Sequence, residues 1–235
     1  MNTETAMPEP SGDDQSLPDL RRSARFLITC LVSAILFLIL FAWLSEEVFE
    51  GDMRRFDLGF RSQVHQLFGP QLTKFMLAMT FLGSIGFLTA LFALLVAVWL
   101  VQGKKRNALW LAVSVGGSVV LDLSLKLSFH RARPTPFVGS VPQTYSYPSG
   151  HALSSFCFYG VLAGLYCSGI ASRGARIFVW VAAAALILAI GLSRIYLGVH
   201  YPTDVAAGYI AAAAWVSALL FALREKRTAK SSTAG

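Results

Sequence analysis

Apolar runs of about 20 residues recur along the chain, and they constrain its fold more than any other feature. A membrane-spanning helix needs about 20 apolar residues, because the hydrocarbon core of a bilayer is about 30 Å thick. Only 14% of the 235 residues are charged, whereas ordinary soluble domains carry roughly 25%. The runs therefore predict an all-α polytopic membrane protein, since a helix satisfies its own backbone hydrogen bonds in lipid.

Six such runs predict a bundle of six transmembrane helices. They cover residues 26–44, 75–101, 108–127, 151–171, 177–192 and 205–223. The second run is longer than a bilayer needs, so we expect it to tilt or to begin outside the membrane. The stretch 46–72 is mixed in charge, and its apolar residues recur at helical spacing. It is expected to be an extracytoplasmic loop with a short interfacial helix.

The two ends of the chain are expected to lie outside the six-span domain, which we assign to residues 23–226. Residues 1–22 are polar, acidic and contain Pro, which predicts a disordered cytoplasmic tail. Residues 227–235 are interpreted as a second, basic cytoplasmic tail.

Clusters of Lys and Arg predict the orientation of the spans. In membrane proteins, the loops that carry excess Lys and Arg face the cytoplasm. With six spans, the basic clusters within 21–25, 104–106, 173–176 and 224–230 all fall on one side. Both termini are therefore expected to be cytoplasmic.

The charge distribution argues against a nucleic-acid partner, and the cysteine content argues against a bound metal. The net charge of +7 comes from short clusters between apolar runs, so it does not predict a face for nucleic acid. The cysteines Cys30, Cys157 and Cys167 lie within apolar runs and are interpreted as buried thiols. Because there is no CxxC motif or His-rich cluster, we expect no metal and no cofactor.

Three polar stretches lie at the predicted outer ends of spans three to six. They are KLSFHRARP at 126–134, YPSGH at 147–151 and SRIYLGVHYPTD at 193–204. Basic residues on the outer side are exceptions to the positive-inside rule, which places excess Lys and Arg in the cytoplasm. An anionic ligand would explain these exceptions. Four helix ends in a bundle can converge on one pocket. The charged and titratable side chains of that pocket would be Lys126, Arg133, Arg194, His151, His200 and Asp204.

Each of these positions also has a purely structural interpretation. Lys126 and Arg131 can snorkel to the membrane interface, and Asp122 can neutralise Lys126 one helical turn away. Ser149 can cap the fourth span and Asp204 the sixth. The presence of all three stretches on one side of the membrane favours a functional site.

Together the three stretches resemble the signature of the type 2 phosphatidic acid phosphatase superfamily, a family of membrane lipid phosphatases. Its first motif, Lys, six residues, Arg-Pro, is matched at 126–134. Its second motif, Pro-Ser-Gly-His, is matched at 148–151. Its third motif, Ser-Arg, five residues, His, three residues, Asp, is matched at 193–204. The resemblance covers about residues 75–223.

The resemblance implies metal-independent hydrolysis of a lipid phosphate or diphosphate at the outer membrane face, through a phosphohistidine. It implies that His200 is the nucleophile, that Asp204 orients its ring, and that His151 acts as acid and then as base. The phosphate would be bound by Lys126, Arg133, Ser149, Gly150 and Arg194.

Several alternatives stay open at this point. A lipid phosphotransferase would use the same phosphohistidine. A lipid-phosphate binder or transporter is less favoured, because no inverted repeat is visible and the His–Asp spacing has no use in a binder. The lipid can be phosphatidic acid, phosphatidylglycerol phosphate, a polyprenyl diphosphate or a lipid A phosphate. Short loops and the lack of an Asn-x-Ser/Thr sequence favour a bacterial inner membrane.

Overall fold

The computed structural model describes residues 16–140 and 142–232, and helices account for most of them. The helices are α1 (Ser16–Glu50), α2 (Arg54–His65), α3 (Pro70–Leu82), α4 (Ile85–Val101), α5 (Lys105–Phe129), α6 (Gly150–Ser155), α7 (Val161–Cys167), α8 (Arg173–Tyr196) and α9 (Pro202–Ser232). A π-helical turn, Phe156–Gly160, joins α6 to α7. These two ranges contain no strand, so the predicted all-α class is confirmed.

The number of spans differs from the prediction. Four helices are long and apolar enough to cross a membrane, at Ala24–Glu50, Lys105–Phe129, Arg173–Tyr196 and Pro202–Ala222. The pair α3 and α4 qualifies only as one bent span. The stretch from α6 to α7 is divided into three short helical pieces. The described part of the chain therefore has four candidate spans, or five with the bent pair, and six are not confirmed.

The predicted second span is a bent pair of helices rather than one tilted helix. The axes of α3 and α4 differ by 49°. Ser84 caps α4 by accepting a hydrogen bond from the Phe87 N–H at 3.3 Å. A Cβ on Gly83 would lie 2.4 Å from Ile190 Cγ2, so glycine lets the break pack directly on α8. The apolar run 75–101 is longer than one span needs because it includes this bend between two helices.

The terminal helices extend into both stretches that were predicted as tails. Helix α1 begins at Ser16, and Pro18 in its first turn costs no hydrogen bond there. Helix α9 continues to Ser232. The rest of the predicted tails, residues 1–15 and 233–235, lies outside the described residues.

The stretch between the first two runs contains the expected short helix, which is α2. Its Phe60 and Val64 pack against a cluster formed by residues of α6, α8 and α9. Asp57 and Arg61 lie on the same helical stripe and are buried, with 1% and 8% of their surface exposed. Helix α2 therefore lies across one end of the bundle with two charged side chains turned inward.

The helix ends that carry the three motifs meet at this same end of the bundle. Helices α5 and α8 end there, whereas α6 and α9 begin there. The Ser149 N–H donates to the Asp204 carbonyl oxygen at 2.9 Å, which joins the starts of α6 and α9. A Cβ on Gly208 would lie 2.7 Å from the Ser149 carbonyl oxygen. The close approach of α9 to α6 therefore requires glycine at position 208.

The outer surface of the bundle is rich in large apolar side chains. Val101, Ile85 and Phe178 are 90%, 80% and 73% exposed. Soluble monomers rarely expose contiguous apolar patches larger than a few hundred Å². Lipid is the solvent that suits such a surface.

Replacing Gly208 with Ala is expected to lower the free energy of unfolding by about 1–3 kcal/mol, because the new methyl group overpacks a backbone contact. The matched control is Gly116→Ala on α5, where a Cβ meets nothing within 4 Å. The control should be neutral or stabilising by up to about 1 kcal/mol, since Ala favours helix over Gly. Thermal unfolding in detergent compares the two variants, and equal midpoints would show that position 208 tolerates a side chain.

Candidate active site

His200 and Asp204 form a buried pair where α8 turns into α9. They are 1% and 0% exposed, and His200 Nδ1 lies 3.3 Å from Asp204 Oδ2. A carboxylate beside Nδ1 favours the tautomer that carries its proton on that nitrogen. The lone pair of the neutral ring then belongs to Nε2.

The Asp204 carboxylate has a fixed set of donors. Its Oδ2 accepts hydrogen bonds from the Tyr201 N–H at 2.8 Å and from the Ser146 hydroxyl. Its Oδ1 accepts one from Arg131 Nη1 at 2.5 Å. Because Asp204 is the third residue of α9 and reaches back to the N–H before the helix, it acts as the acid of a capping box. The capping interpretation is therefore confirmed, and the same carboxylate also contacts His200.

Arg133 contacts the other side of the His200 ring. Its Nη1 lies 3.0 Å from His200 Nε2 and donates to the Val199 carbonyl oxygen at 2.9 Å. Its Nε and Nη2 donate to the Thr144 carbonyl and hydroxyl oxygens at 2.7 and 2.8 Å. The guanidinium is thus held in one plane with one nitrogen at the lone pair of Nε2.

The pKa of His200 is lowered to about 4. Burial is the largest cause, the hydrogen bond and charge of Asp204 oppose it, and the charges of Arg133 and Arg194 lower the pKa further. The ring is therefore neutral at pH 7, with an unprotonated Nε2.

Lys126 and Arg194 do not extend to the membrane surface. They are only 8% and 9% exposed, so the snorkelling interpretation is wrong for Lys126. Its Nζ pairs with Asp122 and donates to the Pro148 carbonyl oxygen at 3.1 Å. Arg194 Nη1 donates to the hydroxyl of Thr80. The neutralising role of Asp122 is confirmed, and both cations are held at the inner side of the helix ends.

Three buried polar atoms at this end have no hydrogen-bond partner among residues 16–140 and 142–232. One is Arg61 Nε on α2, and the other two, Ser149 Oγ and Arg194 Nε, belong to predicted site residues. Ser149 occupies the N-cap position of α6, but its hydroxyl accepts no bond from the helix, so the capping interpretation is wrong. An unpaired buried polar atom costs about 1–3 kcal/mol. A ligand that accepts from both Ser149 and Arg194 would remove this cost at the two predicted site residues.

His151 and Gly150 complete the predicted set at the first turn of α6. The half-buried His151 ring lies within electrostatic reach of Arg194, Arg133 and Lys126. A Cβ on Gly150 would lie 2.9 Å from an oxygen of Asp122. All eight side chains or backbone groups predicted from the motifs therefore lie at one end of the bundle.

Sequence reasoning missed several polar partners of this site. These are Asp57, Arg61, Thr80, Thr144 and Ser146. A signal for two of them was present, because Asp57 and Arg61 interrupt the helical stripe formed by Phe60 and Val64. Arg131, interpreted as snorkelling, instead lies in a buried ion-pair network, so that interpretation is wrong.

The arrangement suits a phosphate ester. Arg133 and Arg194 offer planar forks to phosphate oxygens, and Lys126 offers a point charge. A neutral imidazole nitrogen beside these cations has the geometry of a nucleophile next to a bound anion. Within the described ranges, no group of three His, Cys, Asp or Glu side chains is placed to hold a metal ion.

Fold and site together define a helical membrane protein with buried cations and histidines gathered at one end of its bundle. A family model described as the PAP2 superfamily matches residues 107–228, which is more than half of the chain. The chain belongs to the PAP2 superfamily.

Named relatives agree with this assignment. Phosphatidylglycerophosphatase B of Bacillus subtilis is 31% identical over 143 residues, which cover 60% of this chain and 70% of that protein. Undecaprenyl-diphosphatase of Sulfolobus acidocaldarius is 31% identical over 121 residues, or 49% of this chain and 54% of that protein. The crystal structure of a transmembrane PAP2-type phosphatidylglycerolphosphate phosphatase from Bacillus subtilis is similar with a TM-score of 0.72 and 26% identity. The similarity covers 84% of this chain and 96% of the chain in that crystal structure.

Replacing Ser149 with Ala is expected to weaken binding of the phosphate analogue vanadate about 10- to 100-fold, the loss of one hydrogen bond to a charged group. Thermal stability should not fall and should rise by up to about 1–3 kcal/mol, because the substitution removes a buried hydroxyl that bonds nothing in the fold. The control is Ser155→Ala, whose buried hydroxyl bonds only the Ala152 carbonyl oxygen of its own helix. Equal vanadate affinity in wild type and Ser149→Ala would exclude the hydroxyl as a ligand group.

Proposed function

We propose that this protein hydrolyses the phosphate or diphosphate headgroup of a membrane lipid through a phosphohistidine formed on His200. Family membership and the named relatives make the chain an integral membrane protein and a phosphoric ester hydrolase. The observation that carries the finer proposal is the buried His200, whose Nδ1 faces Asp204 while Nε2 faces Arg133. We assign to the eight predicted site residues the catalytic and phosphate-binding roles that the family resemblance implies.

In the first step, His200 Nε2 attacks phosphorus and the bond to the lipid oxygen breaks. Arg133 transfers its hydrogen bond from Nε2 to a phosphate oxygen, which frees the lone pair. Lys126, Arg133 and Arg194 stabilise the charge on the equatorial oxygens of the transferred group. Burial and the charges of Arg194 and other nearby cations lower the pKa of His151 to about 2 in the free site, so its ring first takes up the proton of the bound phosphate ester monoanion. His151 then passes this proton to the leaving lipid alkoxide.

In the second step, water replaces the lipid on the opposite side of phosphorus. His151, now neutral, takes a proton from this water, and the oxygen forms a bond to phosphorus as the bond to Nε2 breaks. Asp204 stabilises the positive charge that His200 carries while phosphorylated and keeps the ring in place. The products are the free lipid alcohol and inorganic phosphate, or a lipid monophosphate and phosphate from a diphosphate.

An extracytoplasmic site is supported by the distribution of basic residues. Helices α5 and α8 end at the site, and their opposite ends begin with the basic clusters within 104–106 and 173–176. The positive-inside rule assigns those clusters to the cytoplasm. We therefore propose that the site faces the outside and that both termini face the cytoplasm.

The class of substrate is a lipid phosphate rather than a soluble one. The relatives are named for phosphatidylglycerophosphate and undecaprenyl diphosphate, and both are lipids with a terminal phosphate. Because α5, α8 and α9 are candidate membrane spans, we expect their ends at the site to lie near the bilayer surface, where lipid headgroups are found. A phosphotransferase would share these residues and would differ in the acceptor of the second step.

Phosphate release from a lipid panel tests the proposal directly. Purified protein in detergent with excess chelator should release phosphate from at least one of phosphatidic acid, phosphatidylglycerol phosphate, undecaprenyl diphosphate and a lipid A phosphate. His200→Ala should lose essentially all of this release, because no nucleophile remains. The control His130→Asn replaces an exposed histidine in left-handed conformation with a residue that tolerates it, and should keep full activity.

Two outcomes would overturn the proposal. Wild-type rates in His200→Ala would exclude the phosphohistidine. Consumption of the lipid phosphate only when an acceptor alcohol is added, with the phosphoryl group passing to the alcohol and none to water, would make the protein a phosphotransferase.

Replacing Asp204 with Asn should slow turnover about 100-fold or more, since the ring loses its orienting acid. The Asp204 charge raises the pKa of His200 against the effect of burial. Its removal should therefore lower that pKa further and move the acid limb of kcat/KM to lower pH. The pH profiles of kcat/KM are compared for wild type and Asp204→Asn on one substrate. This comparison isolates the shift in the pKa of His200, because ionisation of the substrate contributes equally to both profiles. An acid limb that moves to higher pH would contradict the assignment.

A further inference from the structure

We propose that Asp57 and Arg131 are positioning residues, which hold the Asp204 carboxylate in place for His200 and make α2 part of the catalytic apparatus. The inference rests on the proposed function, since it concerns how the His200–Asp204 pair is kept in geometry. Neither residue lies at a position that the three motifs specify.

Arg131 joins two buried carboxylates. Its Nη2 donates to Asp57 Oδ2 at 2.8 Å, and its Nη1 donates to Asp204 Oδ1 at 2.5 Å. The two acids have 1% and 0% of their side chains exposed, and Arg131 has 15%. Charges this deeply buried keep their places because each has a fixed partner of opposite sign.

Asp57 also holds the start of α9. Its Oδ1 accepts from the Thr203 N–H at 3.1 Å and its Oδ2 from the Thr203 hydroxyl at 2.7 Å. An acid at the amino-terminal end of a helix is stabilised by the free N–H groups and by the helix dipole. Asp57 therefore fixes the turn of helix from which Asp204 projects, as well as the guanidinium that binds Asp204.

Because of Arg131, the two carboxylate oxygens of Asp204 have different partners. With Oδ1 held by Arg131, only Oδ2 faces Tyr201 N–H, Ser146 and His200 Nδ1. Burial alone would lower the pKa of Arg131, but Asp204 and Asp57 raise it above its ordinary value. The guanidinium therefore stays charged wherever the enzyme works. Without it, the carboxylate can rotate, and its 3.3 Å contact with Nδ1 is no longer held.

A second buried charge shows that α2 is held on the site as a rigid element. Arg61, one helical turn after Asp57, donates from Nη2 to the carbonyl oxygens of Thr135 and Gly198 at 2.8 and 3.1 Å. The Tyr201 ring lies 4.3 Å from the guanidinium carbon of Arg131 and 5.4 Å from that of Arg61. Helix α2 thus fixes the loop after α5 and the turn before α9 at the same time.

The test is a double-mutant cycle on kcat with the full-length protein in detergent. Arg131→Gln and Asp57→Asn should each lower kcat about 10- to 100-fold, the usual cost of losing a residue that orients a catalytic group. The KM should change less than about threefold, because neither residue contacts the phosphate. In the Asp204→Asn background, the same substitutions should lower kcat less than about threefold, since there is no carboxylate left to position.

A purely structural role gives a different pattern. It would lower kcat by the same factor in both backgrounds, and that result would overturn the inference. The control Asp52→Asn changes an exposed acid just before α2 and should leave kcat unchanged. If Arg131→Gln does not fold, Arg131→Lys keeps the charge without the fork, and the same non-additivity with Asp204→Asn is expected.

The cycle separates failure of the inference from failure of the proposed function. Full activity in Asp204→Asn would overturn the proposed role of the His200–Asp204 pair. A slow Asp204→Asn enzyme together with fully active Asp57→Asn and Arg131→Gln variants would overturn the positioning role alone.

Discussion

A single buried carboxylate, that of Asp204, determines how this end of the bundle is assembled. An ionised acid with no exposed surface is tolerable only when donors surround it. Those donors come from separate parts of the chain: the guanidinium of Arg131, the hydroxyl of Ser146 and the backbone N–H of Tyr201. The Asp204 carbonyl oxygen in turn accepts from Ser149 at the start of α6. Folding of this end and construction of the site are therefore one process.

The fold class and the motif residues could be predicted because each depends on local pattern. The apolar runs predicted the all-α class. The three motifs between Lys126 and Asp204 predicted the polar groups that meet at the end of the bundle. The bend at Gly83 could not be predicted in this way, because it depends on contact with Ile190, more than a hundred residues later in the chain. Counting runs therefore overestimates the number of uninterrupted spans.

The remaining errors share one physical cause, which is that the burial of a polar side chain is a tertiary property. Ser149 stands at an N-cap position, yet its hydroxyl accepts no hydrogen bond from the helix. Arg131 follows a span and so resembles a snorkelling residue, yet it lies between two acids. Its partner Asp57 is on a helix earlier in the chain, and no periodicity relates the two positions. The one visible clue was a pair of charges, Asp57 and Arg61, within the buried stripe of α2.

The capping contact of Asp204 also bears on how relatives can diverge. The acid caps helix α9 through the Tyr201 N–H, a contact in which the His200 side chain takes no part. A descendant that no longer performs catalysis would still be under selection to retain the acid for folding, while the histidine would be free to drift. In sequences of this kind, the histidine is therefore the better marker of an active enzyme, and the aspartate mainly marks an intact bundle end.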